Sequence, residues 1–310
     1  MNEMSMHGLK RFSVLSTAAA AVTLLLITFG GAVAFTGSTK AIPDWPTSFG
    51  KLTPPAEGGA LIEYVHRVLA AAAGVLILTT AVFGLRDFRK DLRLSLPPVL
   101  AAFFIVPAAI LGARAVLASL TPALAVIDLG CALTVLALTV AAAVSARIRV
   151  KEPVALPSLQ GISALSILSF GSCVFVFAAL ALAVATAPAG TPPTCLGWPA
   201  WGQAASLIGD GHALAVIQYL ASAAATIFII ASLAHAWRAR RSGRTVLTVA
   251  TLAAVLFFTG IVNSELAAAL HYPLPLMGIR VVLASGTWAA LAALLMLSFS
   301  QSAYANSQPG

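Results

Sequence analysis

Eight apolar runs, each long enough to cross a bilayer as a helix at about 20 residues, constrain this chain more than any other feature. They cover residues 13–35, 61–85, 96–118, 122–146, 160–187, 212–236, 246–268 and 274–298. Of the 310 residues 60% are hydrophobic and 9% charged, a composition that excludes a soluble core and indicates an integral membrane protein. The net charge of +8 does not point to nucleic acid, because of where the cations sit. Thirteen of the 18 lie in four places: Lys10 and Arg11; Arg86, Arg89, Lys90 and Arg93; Arg147, Arg149 and Lys151; Arg238, Arg240, Arg241 and Arg244. All four fall on one side when the runs are paired, while only Lys40 and Lys51 lie in the alternate loops. Such a bias marks the cytoplasmic side, so both termini are expected there, in a multi-pass plasma-membrane protein.

The runs also pair along the chain. Ile62-Glu63-Tyr64-Val65-His66-Arg67 aligns with Ile217-Gln218-Tyr219-Leu220-Ala221-Ser222, Trp45-Pro46 with Trp198-Pro199, and Leu111-Gly112 with Thr259-Gly260. The chain therefore reads as a tandem repeat of two halves, 1–157 and 158–310. The expected fold class is an all-α membrane protein of eight transmembrane helices in two four-helix bundles. An even number of spans per half gives both the same orientation, which predicts a pseudo-two-fold axis along the membrane normal. Tight outer turns are expected at Ser119–Pro122 and His271–Pro273. Cys131 and Cys173 fall within spans and Cys195 lies alone in an outer loop, so no disulfide within that loop is available. The first run lacks a clear cleavage site and reads as a retained helix. The polar tail 301–310 is expected to be disordered.

Glu63, His66 and Arg67 open the second run at i, i+3 and i+4, so a helix puts them on one face, with Ala70 and Gly74 below. Ionisable groups inside a span are costly and face a bundle interior, which makes them functional candidates. The small residues below leave room for a flat ligand. The competing structural reading is an ion pair of Glu63 with Arg67 and a carbonyl hydrogen bond for His66. His212, His235 and His271 sit at span ends and read as interfacial residues.

Thr36-Gly37-Ser38, Ile42-Pro43-Asp44-Trp45-Pro46, Gly50, Pro54-Pro55 and the Glu63–Arg67 segment, followed by Leu111-Gly112 and the stretch Pro122 to Ala132, resemble the heme A synthase family of cytochrome oxidase assembly proteins. The resemblance covers most of residues 12–146 and implies oxidation of the heme O methyl group to the formyl group of heme A. It implies four histidines on spans two, four, six and eight, forming one heme site per half. Carried over, His66 is the iron ligand, Glu63 the acid implicated in the chemistry, and Arg67 a candidate partner for a heme propionate. Asp128, Ala221 and Arg280 stand where the other three histidines fall, with Ala284 or Ser285 as alternatives for the fourth. The candidate cofactor-binding set is thus His66, Arg67, Arg114 and Asp128, with heme O as substrate and the second-half heme b site degenerate.

Arg114 with Asp128, and Glu265 with Arg280, are expected as buried salt bridges replacing histidine ligation. The implied partners are heme O, heme O synthase, cytochrome oxidase subunits and the bilayer, with a homo-oligomer as an option and no nucleic acid. The rival function is a non-catalytic heme-binding or heme-transfer protein of oxidase assembly.

Overall fold

The computed structural model describes residues 3–51, 58–151, 163–186, 198–199, 213–239 and 244–305. They form helices α1 (Glu3–Phe35), α2 (Gly59–Asp87), α3 (Leu92–Ala118), α4 (Pro122–Lys151), α5 (Ala164–Ala185), α6 (Ala213–Arg238), α7 (Arg244–Ala269) and α8 (Leu274–Ala305). All eight are long and apolar enough to cross a membrane, and the described residues contain no strand. The chain is an all-helical, multi-pass membrane protein.

Several helices outrun the apolar segments that reveal them. Helix α1 begins ten residues earlier than its run, and α8 continues to Ala305 through half of the tail expected to be irregular. Apolarity marks only the stretch suited to hydrocarbon; the backbone goes on satisfying itself as helix beyond that boundary. Ser119 (φ 60°), and His271 and Tyr272 (both φ 58°), turn the chain left-handed between α3 and α4 and between α7 and α8, as the tight connections demand. Pro54, Pro55, Cys195, His212, Arg240 and Arg241 lie outside the described residues.

Helices α1–α4 pack around one another, α1 on α2 and α4, α3 on α2 and α4; α5–α8 do the same, α5 on α6 and α8, α7 on α6 and α8. The two groups meet where α8 lies against α4 and α1, and α4 against α5. Helix α8 is the central element: 61% of its most apolar stretch is buried, against 39% or less in the others. Close approach explains this. A Cβ on Gly31 of α1 would stand 2.5 Å from the Val281 side chain of α8. Small residues at such crossings let backbones meet in lipid, where no hydrophobic force drives helices together. Trp288 of α8 adds a buried hydrogen bond, its Nε1 donating to the Leu133 carbonyl of α4 at 2.7 Å.

Candidate functional site

The loop between α1 and α2 is built around one carboxylate and one guanidinium. Ser48 and Lys51 exchange backbone hydrogen bonds across Phe49 and Gly50, whose φ values of 55° and 72° match a type I′ turn. Asp44 caps this turn. Its Oδ1 accepts from Phe49 N at 2.7 Å, and its Oδ2 from Gly50 N at 2.9 Å and from the Thr47 hydroxyl. The Gly50 amide first, then the Thr47 hydroxyl and the Phe49 amide, hold the Asp44 carboxyl down at about 2.

Arg67 of α2 fixes the same loop to the bundle. Its Nη1 donates to the Asp44 and Thr47 carbonyls at 2.7 Å each, its Nη2 to the Ile42 carbonyl at 3.3 Å, and its Nε to Glu63 Oε1 at 2.9 Å. Four of the five guanidinium N–H groups are thereby used. The expected propionate contact gives way to a structural one, because three loop carbonyls converge on the fork that a carboxylate would need. Glu63 is buried and paired with Arg67, as the structural reading of this helix face had it.

His66 lies one turn below Glu63 and faces α1. Its ring packs on Gly30, where a Cβ would come within 3.0 Å of Cε1, so a side chain there would push the imidazole out. The buried Nδ1 has no hydrogen-bond partner. Two turns further along α2, a Cβ on Gly74 would meet nothing within 4 Å, and the same holds for Gly112 on α3. Beyond, a crevice lined by Ser16, Ile77, Thr80 and Thr139 is too narrow for water. The imidazole also hydrogen-bonds the Leu26 backbone of α1, as the structural reading of this helix face had it, and Nδ1 is the ring nitrogen left without a partner.

Asp128 of α4 is half-buried and Arg114 of α3 exposed, and among the described residues neither has an ion-pair partner. The expected Arg114–Asp128 bridge is therefore not formed. Arg114 lies five residues from Ser119, about 7.5 Å of helical rise, and so close to the helix end a long cationic side chain reaches outward.

The second half is filled where the first is open. Trp198 is 1% exposed and sits edge-on to Phe257 with ring centroids 4.6 Å apart. Its indole nitrogen would lie 2.5 Å from a Cβ on Gly260, the glycine aligned in sequence with Gly112. Arg280, standing where the fourth histidine falls, donates from Nη2 to the Trp198 carbonyl at 2.5 Å. Ala221 and Ala284 belong to the same apolar cluster as Trp198 and Phe257. These residues do not fit a second heme: among the described residues no imidazole faces the space, and the Trp198 indole occupies it.

The family described as cytochrome oxidase assembly protein matches residues 56–291, through both halves. The chain belongs to that family. Among its relatives, the heme A synthase of Shouchella clausii (strain KSM-K16) is 34% identical over 116 residues, 36% of this chain and 37% of the relative. That of Exiguobacterium sibiricum is 29% identical over 109 residues, 34% and 37% of the two chains. That of Symbiobacterium thermophilum is 28% identical over 198 residues, 62% and 64%. The matched segments thus span from little over a third to under two thirds of these family members. The plug formed by Trp198, the Gly30 cradle and the grip of Arg67 on the loop escaped sequence reasoning. The adjacent Gly30-Gly31 pair in an apolar run was the available signal for the second.

Proposed function

We propose that the protein acts in heme A biosynthesis for cytochrome oxidase, binding heme O as substrate in its first half and oxidising the ring methyl group to the formyl group of heme A. The observation that carries this reading is His66: a buried imidazole seated on Gly30, whose Nδ1 has no partner, with open space at Gly74 two turns along the same helix. The substrate's iron supplies the oxygen chemistry when bound. The chain's own residues bind and orient. His66 offers the nitrogen ligand, and Glu63, one helical turn away, offers a carboxylate able to take a proton. Arg67 aims that carboxylate and, through the loop carbonyls, ties the loop to the same end of the bundle. Asp128 contributes polarity from α4.

The two halves read as one duplicated unit. The alignment of their motifs supports this, as does a junction in which α4 meets α8 while α1–α8 and α5–α4 contacts repeat each other. The basic ends, with both termini, face the cytoplasm of the plasma membrane by the positive-inside bias.

The plugged second half favours a second reading, a heme-binding or heme-transfer protein without turnover, because an electron-relaying heme would have no site there. One experiment separates the two. The full chain is purified from membranes containing heme O, and its hemes are extracted, counted and typed. Heme A, at no more than one heme per chain, supports the enzyme; unmodified heme alone supports the carrier; absence of heme rejects both.

A further inference from the structure

We propose that the basic end of the first half contains a binding site for a phosphate group, supplied by the headgroup of an anionic lipid. A cavity of about 270 Å³ opens there between the ends of four helices. That is room for roughly nine waters at ~30 Å³ each, enough for a phosphodiester with its glycerol. Arg86, Arg89 and Lys90 stand on its rim, from the last turn of α2 and the connection to α3. All three are exposed, and none forms an ion pair among the described residues.

The acids present do not cancel them. Asp91 is committed twice: it caps α3 by accepting from Arg93 N at 3.2 Å, and it pairs with Arg149 Nε of α4 at 3.2 Å. Arg149 is only 18% exposed, so this bridge forms a fixed, neutral polar wall. That leaves Asp87 against three mobile cations. The opposite wall is apolar: Leu9 of α1, Leu94 of α3 and Phe88 line it, and Phe88 meets Phe12 edge-on with ring centroids 5.2 Å apart. A cationic rim over an apolar floor, at the level where helices leave the membrane, suits an amphiphile whose phosphate meets the rim and whose glycerol and acyl carbons lie on the floor. Basic pockets between transmembrane helices bind lipid headgroups in this way. A free phosphate would satisfy the rim and leave the floor unused.

The test uses the purified full chain in zwitterionic micelles. It is titrated calorimetrically with short-chain phosphatidylglycerol, short-chain phosphatidylcholine and inorganic phosphate. Phosphatidylglycerol should bind, and the other two should not. The double variant Arg89→Gln/Lys90→Gln, altered only at exposed side chains, should bind phosphatidylglycerol about thirtyfold more weakly. Arg147→Gln/Lys151→Gln removes the same charge from the same end outside the cavity and should leave binding within about twofold. Equal binding of inorganic phosphate would keep the site and assign it to free phosphate. Absence of phosphatidylglycerol binding, or equal losses in the two double variants, would overturn the proposal.

Discussion

Trp45 and Trp198 open matching Trp-Pro pairs, yet one stands 47% exposed at the end of the first half and the other is 1% exposed inside the second. The residue before each differs. Asp44 precedes Trp45 and gathers the Phe49 and Gly50 amides and the Thr47 hydroxyl into a compact cap; Gly197 precedes Trp198 and offers no side chain. The arginines differ as well. Arg67 takes three loop carbonyls and leaves the interior beside His66 to another occupant, whereas Arg280 holds Trp198 by its own carbonyl. Beside Gly74 and Gly112 a Cβ would meet nothing, whereas beside Gly260 the Trp198 indole fills the place. An apolar void is costly because its lining loses contacts without gaining water, and in the second half the indole removes that cost.

The largest expected effect breaks the asymmetry outright. His66→Ala should remove all heme from the purified chain, while His271→Ala should retain it; the absorbance spectrum per chain checks both. Heme retained in His66→Ala would put the site elsewhere. Next is the clamp. Arg67→Met strands three carbonyls and leaves Glu63 buried without its cation, at a cost of about 3–5 kcal/mol if the site is dry. Thermal unfolding in detergent should fall accordingly, and Arg67→Met/Glu63→Gln should recover part of the loss. Equal midpoints for wild type and single variant would remove Arg67 as the anchor.

A smaller effect compares the aligned glycines directly. Gly260→Ala forces a Cβ against the Trp198 indole and should cost about 1–3 kcal/mol, whereas Gly112→Ala meets open space and should be neutral or slightly stabilising. Similar outcomes at the two positions would dissolve the open-versus-filled distinction. The smallest effect lies in the cap. Asp44 has its carboxyl held at about 2, below the ordinary 3.8, so its contribution is fully present above about pH 4 and is lost as pH falls through 2. The fluorescence of Trp45, taken by difference from Trp45→Phe, should change in that acid window in wild type and not in Asp44→Asn.

The spans were legible because hydrocarbon imposes a length and an apolarity that nothing else in a sequence imitates. The Glu63–His66–Arg67 face was legible because helical spacing alone brings i, i+3 and i+4 together. What Arg67 grips was not, since its acceptors are backbone carbonyls 20 to 25 residues earlier, and a carbonyl has no letter in a sequence. Charge counting suggested that Arg114 would answer Asp128. It failed because near a helix end the solvated direction competes with the buried one. Trp198 turns inward against Gly260, more than 60 residues away, and no local pattern reports it.

Gly30 and Gly31 sit side by side on α1, one against His66 of α2 and the other against Val281 of α8. Helix α1 is therefore completed on one flank by the helix that follows it and on the other by α8, six helices later. A chain cut before α8 would leave the Gly31 notch facing lipid while the Gly30 flank stayed closed on His66, so two adjacent residues with no side chains at all tie the fit of one helix to both a near and a distant neighbour in the sequence.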